Sequence, residues 1–174
     1  MKVSEQIWKE RMSNLMERRK VKSDNHHLNS PVADYTSHLK KIKIGSRLLD
    51  VGCGDMKVRN MIPSHVVYLG IDAFPVSSEV VKMKIEECYF SDRSFDTIIC
   101  FAVLDGMEDL DKAFFHLKRI CNKNILILTG IDIPVDQYHT FTITEEMLFN
   151  YMKGWKTGIK KYLEEKVLLI EFIK

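Results

Sequence analysis

No apolar run in this chain approaches the roughly 18 residues that cross a bilayer. The amino terminus, Met1-Lys2-Val3-Ser4-Glu5-Gln6, lacks the charged-then-apolar order of a secretory leader. These two absences imply a cytoplasmic protein with no membrane partner. The four cysteines, Cys53, Cys88, Cys100 and Cys121, form no CxxC pair, so no zinc site and no disulfide framework is expected. There is no internal repeat, no linker and no low-complexity stretch. Charge of one sign is also scarce overall: the net is +2. Its distribution is uneven, because residues 1–47 hold 11 Lys/Arg against 5 Asp/Glu. A basic arm of this kind suits either an anionic partner such as nucleic acid or, more simply, the wet face of an amphipathic helix. With 45% hydrophobic and 29% charged residues in 174, the chain reads as one soluble domain with a real core.

What is present is concentrated in Leu48-Leu49-Asp50-Val51-Gly52-Cys53-Gly54-Asp55-Met56. An apolar run stops at an acid, and two glycines one residue apart follow. A buried parallel strand running into a tight turn has this pattern, and glycine there admits φ > 0 and close approach of a ligand. A second strand, Val66 to Asp72, ends in an acid 22 residues after Asp50. That spacing matches the roughly 20 residues at which an acid reaches ribose hydroxyls in nucleotide-binding α/β folds. A dinucleotide fingerprint would require glycine at 57, where the chain has Lys57.

The remaining pattern gives a helix over 4–22, with Trp8, Met12, Leu15 and Met16 on one face, and a second helix over 32–41, capped by Ser30 and Pro31. A short helix is expected from Asp55 to Ile62, a third strand over Val80–Ile85 and a fourth over Phe95–Phe101. A helix over Glu108–Cys121 and a strand over Asn124–Thr129 follow. After a loop over Gly130–Thr142, a helix starts in capping style at Thr144. Two β-rich runs, Trp155–Tyr162 and Val167–Ile173, close the chain as a hairpin.

The Asp-x-Gly-x-Gly run, read as "LLDVGCG", resembles motif I of the class I S-adenosylmethionine-dependent methyltransferases. The resemblance covers roughly residues 45–129. It implies a Rossmann-like, doubly wound α/β fold with a mostly parallel seven-stranded sheet and an antiparallel carboxyl-terminal pair. It also implies a helical cap over 1–44 on a core over 45–174. The chain departs from the family in leaving room for at most a turn or two between strands two and three. The third glycine often found in the motif falls at Met56.

By resemblance, the cofactor is S-adenosylmethionine. Asp50 would draw its ammonium, and the backbone around Gly52, Cys53 and Gly54 its carboxylate. Asp72 would take the ribose diol, with Ala73 and Phe74 beside the adenine. Glu86 or Glu87, where the family more often has aspartate, would accept the adenine amino group. Phe101 would flank the sulfonium. Methyl transfer is mainly alignment with water excluded; a general base is needed for an alcohol or a protonated amine. Asp105, Asp132, Asp136, His139 and Tyr35 are candidates, His139 foremost, with Asp105 beside it as catalytic and Tyr35 and His139 as substrate contacts. His26 and His27 are weaker candidates. Val103-Leu104-Asp105-Gly106-Met107 resembles the "VLEH" stretch of small-molecule methyltransferases, with Gly106 at the usual histidine. The expected reaction is O- or N-methylation of a small molecule. Methylation of RNA through the basic arm and a non-catalytic S-adenosylmethionine-binding module are the alternatives.

Overall fold

The computed structural model describes residues 1–21 and 34–174. Seven strands form one sheet in the order β3-β2-β1-β4-β5-β7-β6. They are β1 (Arg47–Val51), β2 (Val67–Asp72), β3 (Val81–Lys82), β4 (Phe95–Phe101), β5 (Cys121–Gly130), β6 (Lys156–Glu164) and β7 (Val167–Ile173). The pairs β1–β2, β1–β4, β2–β3 and β4–β5 are parallel; β7 runs antiparallel between β5 and β6. The expected mostly parallel sheet with its terminal hairpin, and the insertion of the last strand beside β5, are therefore what the chain builds.

Strand parity sorts the core into two layers. Leu49, Val51, Ile98, Cys100, Ile125 and Ile127 face α3 (Leu110–Ile120) and α4 (Glu145–Tyr151). Leu48, Ile99, Phe101, Leu126 and Leu128 face the other way, under Leu39 of α2 (Tyr35–Leu39). Every residue of β4 is buried: Ile98, Ile99, Cys100 and Phe101 form a continuous apolar run rather than an alternation, and the polar Asp96 and Thr97 before it are buried on hydrogen bonds to Ser46 and Asn124. Both helices on the first face start at side-chain caps: Asp109 accepts the Lys112 N–H at 3.2 Å and Thr144 the Met147 N–H at 3.1 Å.

Four expectations need correction. The helix after Asp55 is only a 3-10 turn, Arg59–Met61. Gly52, Gly54 and Met56 have φ of +70°, +54° and +58°, so the backbone alternates through the left-handed region where a helix would begin, and Pro63 follows too soon for recovery. Strand three is two residues rather than six, because only Ile71↔Val81 and Asp72↔Lys82 pair before Lys84 leaves the ladder. The second helix is capped by Asp34, which accepts the Ser37 N–H at 3.0 Å; Ser30, Pro31 and the histidines 26 and 27 lie outside the described residues. Strand five begins at Cys121, directly after α3, and runs to Gly130.

The first helix, α1 (Glu5–Val21), crosses the carboxyl ends of the parallel strands. Its approach is fixed by backbone bonds from Val3 N–H to Glu108 O (3.0 Å) and Leu110 N–H to Met1 O (2.9 Å). The Met1 ammonium pairs with Asp111. No helix among the described residues is long and apolar enough to cross a membrane. All four cysteines are buried and free.

Candidate active site at the carboxyl ends of the parallel strands

A cavity of about 250 Å³ opens where β1, β2 and β4 end. Its floor is Val51, Gly52, Ala102 and Val103; one side is Asp72, Ala73, Phe74 and Glu86; the far side is Asp105, Met107, Tyr138 and His139. Trp8, Met12, Leu15 and Met16 of α1 form the roof. The helical face read from the sequence thus has a purpose beyond packing: it encloses this space. The Trp8 indole N–H donates to Gly106 O at 2.9 Å, and its ring tilts over Phe74 at 5.4 Å. Arg11 donates to Thr140 O (3.2 Å) and Asn14 to Gln137 O (3.3 Å), tying α1 to the loop that carries His139.

Asp72 ends β2 with both oxygens oriented by backbone: Oδ2 accepts the Gly54 N–H (3.0 Å) and Oδ1 the Phe74 N–H (2.8 Å). Each carboxylate oxygen keeps a further lone pair for a ligand donor. Gly52 is where close approach is required: a Cβ there would meet Val103 Cγ2 at 2.2 Å. Ala102 and Val103 follow β4, and Ala102 holds φ +51°, a left-handed alanine at the cavity floor that composition does not foretell. Glu86, buried, accepts the N–H groups of Glu108 (2.9 Å) and Asp109 (3.4 Å). Burial pushes its carboxyl above its ordinary value, against the pull of those N–H groups.

His139 sits between two carboxylates. Its Nδ1 lies 2.8 Å from Asp136 Oδ1 and its Nε2 lies 3.5 Å from Asp105 Oδ2. The loop is shaped to hold it: Asp136 Oδ1 also accepts the N–H groups of Tyr138 (2.7 Å) and His139 (2.8 Å). The Asp105 carbonyl accepts from Thr140 (2.6 Å) and Phe141 (3.1 Å). Two segments some thirty residues apart are thereby joined at one wall.

Seven of the expected residues, Gly52, Asp72, Ala73, Phe74, Glu86, Asp105 and His139, line the cavity together. Asp50, Cys53, Gly54, Glu87, Phe101 and Tyr35 do not. Asp50 is sealed under the turn, 2% exposed, and accepts the Tyr68 hydroxyl at 2.6 Å. Burial, with Asp72 adding repulsion and Tyr68 opposing, pushes its carboxyl up to about 7. In this structure its side-chain partner is the Tyr68 hydroxyl of β2, and it does not line the cavity. The N–H groups of Gly52 (2.9 Å) and Cys53 (3.1 Å) both donate to Ile71 O, and that of Gly54 goes to Asp72, so the turn's donors hold the turn together. The Cys53 side chain packs against β2, where a Cβ on Gly70 would come within 2.7 Å of its Sγ, and burial pushes its thiol up to about 12. Glu87 is an exposed partner of Lys84, at 2.7 Å. Phe101 faces the opposite core layer, where Tyr35 packs on it at 5.1 Å. Of Asp132 and Asp136, the other candidate bases, neither lines the cavity. The Tyr68 partnership with Asp50 was missed because its signal is register, Leu48 opposite Tyr68 and Asp50 opposite Gly70, rather than motif.

Comparison with known proteins then decides the family: a profile described as methyltransferase domain matches residues 24–152, well over half of the chain. The chain belongs to this family. The methyltransferase domain is also 23% identical to an uncharacterised methyltransferase of Schizosaccharomyces pombe over 83% of the chain, which spans 66% of that relative's length. Among solved structures it resembles a SAM-dependent methyltransferase from Aquifex aeolicus, with a TM-score of 0.69 and 17% identity, covering 90% of this chain and 97% of that one. It also resembles the 1,6-didemethyltoxoflavin-N1-methyltransferase of Burkholderia thailandensis, solved with 1,6-didemethyltoxoflavin and S-adenosylhomocysteine, with a TM-score of 0.68 and 12% identity over 97% and 87% of the two chains. The fold is that of the class I S-adenosylmethionine-dependent methyltransferases.

Proposed function

We propose that the chain transfers a methyl group from S-adenosylmethionine to an O or N atom of a small-molecule acceptor, with α1 acting as the cap of one domain. The observation that carries this reading is the cavity itself: Asp72, Phe74, Glu86 and Gly52 converge on one side, His139 and Asp105 on the other, under the apolar face of α1. Asp72 suits a ribose diol, Phe74 with Trp8 a flat base, and Glu86 the amino group of adenine. Gly52 lets Val103 close up against the turn and so sets the cavity floor on which the cofactor would rest. The lining carboxylates Asp72, Glu86 and Asp105 favour a cation there. When bound, S-adenosylmethionine supplies an activated methyl group. The protein's own residues align the acceptor, exclude water and take up a proton at His139 Nε2, while Asp136 orients the ring through Nδ1.

The cavity of about 250 Å³ is below the roughly 300–1,000 Å³ usual for small-molecule sites. Binding therefore requires the α1 side chains to move outward, and the flexible methionines at positions 12 and 16 are suited to that. The RNA reading draws less support from the described side chains of α1, where Lys9 pairs with Glu5, Arg11 donates to Thr140 and Arg18 lies over the Tyr138 ring. Calorimetric titration with S-adenosylmethionine and S-adenosylhomocysteine, on wild type and Asp72→Asn, tests the proposal. Micromolar binding weakened at least tenfold by the substitution supports it. Absence of binding to the intact chain overturns it.

A further inference from the structure

We propose that the edge at which the parallel strands begin binds the phosphate backbone of a nucleic acid, at the far end of the sheet from the cavity and independently of the methyl-transfer reading. The placement of charge carries the argument. Five neighbouring strands, β1, β4, β5, β7 and β6, each bring one exposed cation to this edge. Arg47 opens β1, Arg93 stands two residues before β4, Lys123 is third in β5, Lys174 follows β7 and Lys156 opens β6. The register holds them abreast: Asn124 and Lys156 both lie opposite Ile173, and the Arg47 guanidinium donates to Arg93 O at 3.2 Å. Four strand spacings make this row about 19 Å long.

Loops and helix ends add to it. Lys40, Lys41 and Lys43 lead from α2 into β1, and the Asn124 amide donates to Lys43 O at 3.4 Å. Lys118 and Arg119 lie in the last turn of α3, just before β5, and Lys153 stands between α4 and β6. The segments 40–47, 91–96, 118–124, 152–157 and 173–174 hold eleven of the chain's 26 Lys/Arg but two of its 24 Asp/Glu. Neither acid balances the face. Asp92 is taken by Arg119 at 2.8 Å. Asp96 is buried, held by Ser46, Asn122 and the Arg47 N–H, with Lys123 at 3.5 Å. Arg47 and Lys174 donate to backbone carbonyls, which leave their charge whole. Lys40, Lys41, Lys43, Arg93, Lys153 and Lys156 are exposed, with no ion-pair partner among the described residues. Like charges gathered in this way repel one another, and a polyanion relieves that repulsion while shedding its own counterions.

The arrangement also selects the polyanion. A row with one cation per strand follows a phosphodiester chain, whose charges run in a line as well. Lysines outnumber arginines on the exposed face, so contact is by point charge and engages phosphates rather than bases. A membrane surface would be held by apolar groups inserted beside the charges, and here Ile42, Ile44 and Trp155 are half-buried. The nucleic acid is a partner rather than the methyl acceptor, because the length of β4, roughly 20 Å, separates this edge from the cavity.

Fluorescence anisotropy of the full chain with labelled oligouridylate, oligoadenylate and mixed-sequence single-stranded DNA, each of about 20 nucleotides, tests this. All should bind with similar micromolar affinity at about 50 mM salt and at least thirtyfold more weakly at about 200 mM. Lys40→Gln, Lys43→Gln, Arg93→Gln and Lys156→Gln combined should weaken binding at least tenfold and lower the salt slope by about 3. A second variant removes the same charge elsewhere, by Lys57→Gln, Lys82→Gln, Lys112→Gln and Lys166→Gln, and should lose no more than threefold. None of these eight residues lines the cavity, and thermal melting shows whether each variant is folded. Absence of saturable binding at the lower salt, equal weakening by the two variants, or binding to phosphatidylserine vesicles with none to the oligonucleotides overturns the proposal. The wild-type salt dependence and the choice of oligonucleotide over vesicle stand as tests even if a variant does not fold.

Discussion

At the scale of single residues, the turn after β1 separates structural from functional glycine. At Gly52 a Cβ would collide with Val103 and φ is +70°; at Gly54 φ is +54° but a Cβ would meet nothing within 4 Å. Gly52→Ala should therefore cost about 3 kcal/mol, overpacking added to left-handed strain, and reshape the cavity floor. Gly54→Ala should cost only about 1 kcal/mol. Urea denaturation of the two variants checks the difference, and equal losses would contradict the geometry. Asp50 offers a second test at this scale. Its carboxyl titrates near 7 in the fold against an ordinary value of 3.8. Because the folded value is raised, its contribution is fully present below the ordinary value and is lost as pH rises through about 7. Stability should fall by on the order of 2 kcal/mol from about pH 5 to about pH 8, and Asp50→Asn should flatten that fall. An unchanged slope in the variant would exclude Asp50 as its source.

At the scale of elements, the opposite sign appears at the other end of the sheet. Asp96, at the start of β4, accepts the Ser46 hydroxyl (2.7 Å), the Asn122 amide (3.1 Å) and the Arg47 N–H (3.2 Å), joining the entries of β1, β4 and β5. The Ser46 and Asn122 bonds hold its carboxyl well below the usual range. A lowered value contributes stability above the ordinary 3.8 that is lost as pH falls below it. Asp96→Ala should lower stability at neutral pH by roughly 2 kcal/mol and blunt the acid limb of the stability curve. Chemical denaturation at about pH 3 and about pH 7 reads both effects. α1 is the other element with a measurable share. Trp8 is 6% exposed and joins Gly106 and Phe74. Trp8→Ala should cost about 3 kcal/mol and enlarge the cavity; a loss below about 1 kcal/mol would show α1 to be weakly docked.

At the scale of the whole molecule, the sheet places residues from five separate segments round one space, and ligand binding should be felt by the entire fold. At a hundredfold excess over its Kd, S-adenosylhomocysteine should stabilise the chain by about 2.7 kcal/mol and raise Tm by roughly 5–10 °C, a shift that a tenfold weakening by Asp72→Asn should cut to about half at the same concentration. A wild-type Tm insensitive to the nucleoside would contradict the proposed site. The architecture itself was largely legible beforehand. The apolar run over residues 125–128 marked β5 as buried on both faces, and two strand-end acids 22 residues apart, with glycines after the first, marked where a ligand meets the sheet. The trimmed connection from β2 to β3 was visible in the spacing alone. The helix after the glycine turn was not legible as absent, because a left-handed Met56 is set by the turn's contacts and not by its side chain.

The sequence by itself determined the order of elements, the Asp72 position and the apolar face of α1, because each rests on local periodicity or spacing along one chain. Only the tertiary structure decided that Asp50, Cys53, Gly54, Glu87, Phe101 and Tyr35 stand off the cavity while Tyr138 and the α1 methionines line it. It also decided that Asp136 and Asp105 meet at His139. Which lone pairs are spent on the fold and which carboxylates share one imidazole depend on strand register and loop closure, and those are fixed by packing between distant segments.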